Sequence, residues 1–321
     1  MLHNGKQTPF TDEISHHLPV MVDQVIEHLL YIKTKGKSTQ TTFIDGTVGG
    51  GGHALALLEH LGENDRLFCF DRDPHALQRA QNRLGGDERA VFIHASYSEV
   101  EDHFAPGSVG GVLLDLGLSS DQLSSDRGFA FSQESQLDMR FDPHSDISAY
   151  DLVNRYSIER MREVFFKFGE EPLSPRIARK IAEERMKGAI RTTTHLVEII
   201  GSAVPTRFET KAVARIFQAI RIEVNNEIGL LEDGLQAAWN VLEPGGVLCV
   251  ISYHSIEDRR MKRLIAEKAK GCTCPPKLPI CACGKIPEAK KLTSSALRPT
   301  AVEMRTNNRA RSARLRAAVK I

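Results

Sequence analysis

The chain contains no apolar run approaching the roughly 20 residues that a membrane-spanning helix needs. Its opening stretch, MLHNGKQTPFTDEISHHLPV, lacks the basic-then-apolar pattern of a signal peptide, so a cytoplasmic protein is expected. Cysteine is scarce, with six in 321 residues, which argues against a disulfide scaffold. Cys69 and Cys249 sit inside apolar runs and read as small core residues. Aromatics make up 6% of the chain, with Trp239 the single tryptophan, and the net charge is only +1. Bulk electrostatics therefore favour no particular partner. No internal repeat is present, which excludes solenoids and propellers. The charge that is present is unevenly placed. From Arg298 onward there are seven basic residues (Arg298, Arg305, Arg309, Arg311, Arg314, Arg316 and Lys320) against one acid, Glu303. Such a tail suits phosphate contacts or a merely solvated terminus.

Continuous apolar strands alternate with helical patterns in the first third of the chain. TTFIDGTV (41–48), DRLFCFDRD (65–73), RAVFIHASY (89–97) and VGGVLLDLGLSS (109–120) read as strands one to four. Between the second and third, DPHALQRAQNRLGG offers Asp73 as a helix N-cap, Pro74 at the first helical position and a glycine stop. From about Asp126 to Gly229 the periodicity is helical throughout. The alternation resumes with LQAAWNVLEPGGVLCVISYH (235–254), a helix, a Pro-Gly-Gly turn and a fifth strand. AKKLT and RSARLRAAVKI offer two late edge strands. These elements predict an α/β fold: a doubly wound, mostly parallel, seven-stranded sheet. Residues 1–125 and 230–321 would form it, with 126–229 as a helical insertion between strands four and five.

The first strand leads into GTVGGGGH, five glycines in the seven positions from Gly46 to Gly52. In such sheets the ligand lies beyond the carboxyl ends of the strands, closest to the first strand-to-helix turn. Glycines there let backbone approach the ligand, and the following helix points free N–H groups at it. The second strand ends in Asp71, a carboxylate suited to a pair of ribose hydroxyls. Loop and acid alone fit a dinucleotide or S-adenosylmethionine (SAM) equally. The fourth strand decides between them: LLDLGLSSDQL ends in Asp115 and enters a polar loop with Ser119, Ser120 and Gln122, the arrangement of amino-group methyltransferases.

The ordered motifs HLPVMVDQV, DGTVGGGGH, DRDP, LLDLGLSSDQL, RGFAF, LDMRFD, FGEE, FQAIRIEVNNE, SYHSIEDRR and RARSARLRAA together resemble the ribosomal RNA small subunit methyltransferase H family. The resemblance runs from about His17 to Lys320. It implies a class I SAM-methyltransferase (Rossmann-like) fold. It further implies SAM-dependent methylation of the exocyclic N4 amine of one cytidine near the decoding centre of 16S ribosomal RNA, with the small ribosomal subunit as partner. Carried over by position, the SAM contacts fall on Gly51, Gly52, His53, Asp71, Tyr97, Asp115 and Gln122. Tyr97, where the family often has phenylalanine, keeps a stacking surface for adenine. Val48 and Gly50 stand where relatives often carry an aromatic and an arginine, and neither change removes a glycine.

Methylation at carbon 5 of a pyrimidine would want a reactive cysteine near the fourth-strand loop, and none occurs between Cys69 and Cys249. That absence favours an amine or hydroxyl target by direct displacement. Asp115, Ser119 and Ser120 are then candidate acceptors for the amine, and His254, after the fifth strand, could touch the base or its phosphate or make a structural hydrogen bond. Arg221, Asn225 and Asn226 could face the nucleotide or stitch the insertion to the sheet. Phe129 and Phe131 could stack on a flipped base, although a core role suits them better. Arg176, Arg179, Lys180 and Arg185 could form an RNA-docking wall. CTCPPKLPICACGK holds Cys272, Cys274, Cys281 and Cys283 as two C-x-C pairs; four such thiolates suit zinc, although the usual ligand pair is C-x-x-C, and free thiols or an oxidisable pair are the other readings. Methyl transfer needs no metal. Competing readings are an amino-methyltransferase acting on DNA or another RNA, a non-catalytic ribosome assembly protein and, more remotely, a nicotinamide oxidoreductase. The missing proline-aromatic pair in DLGLSS counts against DNA.

Overall fold

The computed structural model describes residues 19–35, 40–117, 126–272, 274 and 283–321. Its strands are β1 (Thr42–Asp45), β2 (Arg66–Asp71), β3 (Ala90–His94), β4 (Val109–Asp115), β5 (Leu242–Ser252), β6 (Ala289–Lys291) and β7 (Arg314–Lys320). They form one sheet in the order β3-β2-β1-β4-β5-β7-β6. The first five strands are parallel, while β7 runs antiparallel to β5 and to β6. Both late strands expected from the sequence are present, but only β6 is an edge strand; β7 pairs on both sides and lies between β5 and β6. β1 to β4 are shorter than the apolar runs predicted for them. The Pro-Gly-Gly turn expected before the fifth strand is instead part of β5. The register jumps from Val109↔Leu242 to Gly111↔Val247, and Pro244, Gly245 and Gly246 lie in the resulting bulge.

The helices are α1 (Val22–Leu29), α2 (Gly52–Leu58), α3 (Pro74–Leu84), α4 (Val100–His103), α5 (Ala149–Arg155), α6 (Ile158–Gly169), α7 (Ser174–Arg185), α8 (Thr193–Ala203), α9 (Glu209–Val224), α10 (Glu227–Val241), α11 (Ser255–Lys268) and α12 (Ala301–Thr306). Local signals place several of their ends. Asp73 accepts from the His75 N–H at 3.0 Å with Pro74 behind it, and Gly85 stops α3. Ser148 and Asp151 form a reciprocal capping box at the start of α5, satisfying N–H groups that a helix end otherwise strands.

Two apolar clusters cover the sheet. One joins Val20, Leu29, Phe43, Leu57, Leu67, Leu113, Val247 and Leu315 on one face. The other takes Ile44, Phe70, Val112, Leu114 and Val250 from the opposite face and continues without a break through Val164, Phe165, Ile181, Ile200, Ile216 and Ile220 of the inserted helices. The insertion thus shares one core with the sheet, and the boundary read at 229/230 falls inside the first turn of α10. No helix among the described residues is long and apolar enough to cross a membrane.

Candidate active site

β1, β2 and β4 lie side by side, and each ends in an aspartate: Asp45, Asp71 and Asp115. The loop after β1 crosses these ends closely. A Cβ on Gly46 would lie 2.5 Å from Leu114 and 2.9 Å from Tyr97, so no side chain fits there. Thr47 ties the loop to both flanking strands. Its N–H donates to Asp45 Oδ1 at 3.1 Å, and its hydroxyl accepts from the Asp115 N–H at 2.7 Å. The Gly49 N–H donates to Asp71 Oδ2 at 2.9 Å, while Asp71 Oδ1 accepts from the Asp73 N–H at 2.9 Å. Burial pushes the Asp71 pKa up against those two donors. Burial likewise raises Asp45, to about 6.

A cleft opens above these ends. Gly46, Thr47, Gly49, Asp71, Tyr97 and Asp115 line its sheet side, and Arg72, Phe141, Arg221, Glu227, Ile228, Leu231 and Glu257 line the remainder. Asp115 Oδ2 lies 3.7 Å from His53 Nδ1. Its Oδ1 is buried and makes no close hydrogen bond among the described residues. Burial, together with a weak bond from the Tyr253 hydroxyl to the same carboxylate, raises the Tyr253 pKa, and lone pairs are left for a further donor. Arg221 grips Glu227 with two bonds, Nε to Oε1 at 2.7 Å and Nη2 to Oε2 at 3.0 Å. Burial opposes the charge on Arg221, but the Glu227 carboxylate outweighs it and holds the pKa up. Burial also opposes the charge on Glu257; His254, Arg221 and the Tyr253 N–H prevail and lower its pKa. The cleft wall is thus a set of ion pairs facing the strand-end carboxylates Asp71 and Asp115.

The structure brings Asp71, Tyr97, Asp115 and Arg221 together in this cleft. Other positions carried over lie outside the cleft lining. Gly51, with φ +76°, is the left-handed cap of α2 and backs onto Ala80 of α3, where an added Cβ would stand 3.3 Å away. Gly52 backs onto Pro19 in the same manner at 3.1 Å. A side chain on either glycine would meet the element packed behind the loop. His53 is buried behind the cleft wall, its Nε2 donating to the Val20 carbonyl at 2.8 Å. His254 is the N-cap of α11; its Nδ1 accepts from the Glu257 N–H at 3.4 Å and its Nε2 lies 3.0 Å from Glu257 Oε1. It is Glu257, three residues on, that reaches the cleft.

Asn225 is withdrawn from substrate contact by its own bonds. Oδ1 accepts from the Phe141 N–H at 2.7 Å, and Nδ2 donates to the Met139 and Arg221 carbonyls at 2.7 and 2.9 Å. It stitches α9 to the 139–141 turn, where Met139 holds φ +58°. Phe129 is a core residue, 6% exposed and stacked on Phe141 at 5.4 Å; Phe141 is the ring that lines the cleft. Phe131 is 39% exposed, edge-on to Phe217. Arg185, expected on an RNA-docking wall, donates instead to the Val153 and Tyr156 carbonyls. In the basic tail, Arg314 and Arg316 hold Asp258, and Lys320 Nζ donates to the Trp239, Asn240 and Leu242 carbonyls at the end of α10. Ser119, Ser120, Gln122 and Cys281 lie outside the described residues.

Sequence reasoning passed over Thr47, Arg72, Phe141, Glu227 and Glu257. All five stand inside motifs already singled out: Thr47 in DGTVGGGGH, Arg72 in DRDP, Phe141 in LDMRFD, Glu227 in FQAIRIEVNNE and Glu257 in SYHSIEDRR. The signal was the motif, and the choice of member needed the helix start. Cys69 and Cys249 are wholly buried in the sheet, where burial raises both thiol pKa values, so neither is a cleft nucleophile.

A parallel sheet with a bare loop after β1, acids closing β1, β2 and β4, and a cleft at the switch between β1 and β4 defines a nucleotide-cofactor enzyme of the doubly wound class. The MraW methylase family model matches residues 14–321, and the chain belongs to that family. It is 42% identical over 315 residues to the ribosomal RNA small subunit methyltransferase H of Symbiobacterium thermophilum, covering 95% of this chain and 97% of that one. The protein of that name from Nitratidesulfovibrio vulgaris strain DP4 is 42% identical over 318 residues, covering 96% and 97%. The one from Heliobacterium mobile is 39% identical over 315 residues, covering 95% and 99%. The chain is accordingly a methyltransferase of this family, and its methyl donor is SAM. The cleft residues fit that donor. Asp71 keeps lone pairs for ribose hydroxyls beyond its two backbone donors, Tyr97 and Ile228 offer faces for a purine, and Gly46 leaves backbone open to the ligand.

Proposed function

We propose that this chain methylates the exocyclic N4 amine of one cytidine in 16S ribosomal RNA, within the small ribosomal subunit near the decoding centre. Direct displacement is the proposed mechanism. The observation that carries the reading is Asp115. It closes β4 at the cleft, where its carboxylate meets the Tyr253 hydroxyl and keeps lone pairs for a further donor. A carboxylate with an unused lone pair in that position suits an N–H donor approaching the methyl donor.

Bound SAM supplies an electrophilic methyl group. The chain's task is to make a poor nucleophile competent, because the cytosine amine lone pair is conjugated into its ring. Accepting an N–H bond at Asp115 favours a tetrahedral nitrogen and holds it in line, and such positioning supplies much of the rate. The nitrogen–carbon bond forms as the carbon–sulfur bond breaks, and the surplus amine proton leaves through Asp115 or solvent. The Thr47 hydroxyl, bonded to the Asp115 N–H at 2.7 Å, fixes the end of β4 relative to the loop. Phe141 offers a ring against the target base, and Phe129 keeps that ring in place by stacking behind it. Among the described residues no cysteine lines the cleft, which supports attack by the substrate amine over a covalent enzyme adduct.

The test is transfer from labelled SAM to small subunits taken from cells that lack this activity, followed by nucleoside analysis of the RNA. The reading expects label in N4-methylcytidine at a single position, lost with Asp115→Ala. Label in 5-methylcytidine, or in DNA but not in subunits, would refute it.

A further inference from the structure

The segment between α11 and β6 holds cysteines for which methyl transfer has no use. The Sγ atoms of Cys272, Cys274 and Cys283 all lie within 4.8 Å of one another. Cys283 Sγ stands 3.7 Å from Cys272 Sγ. That separation is far beyond a disulfide bond of about 2.05 Å. It matches the edge of a tetrahedron whose centre is about 2.3 Å from each sulfur, which works out at about 3.8 Å, the geometry of zinc thiolates. The Cys274 N–H also donates to Cys272 Sγ at 3.4 Å. A backbone donor on sulfur favours the thiolate form that ligates metal.

The fold brings these residues together through the base of the segment. The Glu288 N–H donates to the Lys268 carbonyl at 2.8 Å, and Lys268 Nζ lies 3.1 Å from Glu288 Oε2. Gly271 sits against Pro287, where an added Cβ would stand 3.3 Å away. The two ends of the segment are thus held side by side, so Cys272 and Cys283 meet across it although eleven positions separate them. The other described cysteines, Cys69 and Cys249, are buried in the sheet, so the grouping does not follow from abundance.

We propose that Cys272, Cys274 and Cys283 bind one Zn(II) ion as a structural clip at the foot of β6. Soft thiolate donors select zinc over magnesium or calcium. Each thiol releases its proton to solvent as it ligates and the ion keeps its charge state, so no oxidant or reductant enters. None of the three lines the cleft, so the metal stabilises the native chain and leaves SAM binding alone. An ion that binds only the folded state raises the unfolding midpoint by mass action.

The full-length chain, purified under reducing conditions without chelator, should carry about one zinc per chain by inductively coupled plasma mass spectrometry. Replacing Cys272 and Cys283 together by serine should reduce the content at least tenfold. The affinity for SAM, read by calorimetry, should stay within twofold. Should the double variant fail to fold, the wild-type chain exchanged with Co(II) decides the matter: intense sulfur-to-cobalt charge-transfer bands with tetrahedral ligand-field absorption are expected. Wild-type chain without zinc and without those cobalt bands would overturn the proposal. Zinc retained by a folded double variant, or a disulfide found by mass spectrometry of the native chain, would overturn it as well.

Discussion

Replacing Asp45 by asparagine should stabilise the protein at neutral pH, and the gain should disappear in acid. Asp45 closes β1 beneath the glycine loop and is 2% exposed. Burial is the largest influence on its carboxyl and raises the pKa from 3.8 to about 6, against the opposing pull of His53 and the Thr47 N–H. The unfolded chain releases this proton near 3.8, whereas the folded chain keeps it until about 6. Between those values the folded state binds more protons, so stability falls as pH rises through the window and stays lower above it. A difference of about two, at about 1.4 kcal/mol for each tenfold in proton affinity, amounts to roughly 3 kcal/mol. Asparagine has no proton to lose, and its carbonyl oxygen can still accept from the Thr47 N–H, 3.1 Å away in the wild type. Unfolding in urea, compared for wild type and Asp45→Asn from pH 4 to pH 8, should show no gap at pH 4. A gap favouring the variant should open between pH 4 and pH 6 and level off by pH 7. For a chain of this length the plateau corresponds to about 4 °C in unfolding midpoint. A gap of constant size across the series would mean that packing, not ionisation, governs this position. A variant less stable at pH 8 than wild type would refute the reasoning outright.

Gly234 of α10 backs onto the Tyr97 ring, and an alanine Cβ there would fall 2.3 and 2.4 Å from two ring carbons. Gly234→Ala should push the ring into the cleft and weaken SAM binding about tenfold, on the scale of an overpacked contact. In a Tyr97→Ala background the effect should vanish, and equal losses in both backgrounds would refute the contact. Asn225→Leu removes three hydrogen bonds from buried backbone groups of the 139–141 turn and α9; a loss of about 3 kcal/mol in chemical denaturation is expected. Full stability retained in that variant would mean that the turn does not depend on the stitch. Asp258→Ala leaves Arg314 and Arg316 of β7 without their carboxylate and should cost about 2 kcal/mol, reduced from a fully buried pair by the partial exposure of both arginines. A change below about 0.5 kcal/mol would instead mark the tail as an ordinary solvated strand.

Periodicity and end signals determined the sheet before any tertiary contact was needed. Buried parallel strands must be apolar on both faces, so FIDGTV, RLFCFD and VLLDLG announce themselves, as do Asp73-Pro74 and Gly85 around α3. Asp71 and Asp115 were legible because the last residue of such a strand faces the ligand edge, whatever the packing behind it. What the helix starts do to side chains was not legible. In SYHSIEDRR the N-cap geometry turns His254 back onto the helix and sends Glu257 to the cleft, a choice made by the direction in which α11 leaves β5. In GGGGH the glycine run divides between two duties: Gly49 faces the cleft while Gly51 and Gly52 admit Ala80 and Pro19. The basic tail shows the same limit, since Arg314, Arg316 and Lys320 were visible as charge but not as partners of Asp258 and of the end of α10. Sequence alone determined which elements form and in what order, because those choices rest on local periodicity. Which member of each motif meets the ligand was decided only when distant segments closed on one another, because that choice rests on the orientation of packed helices.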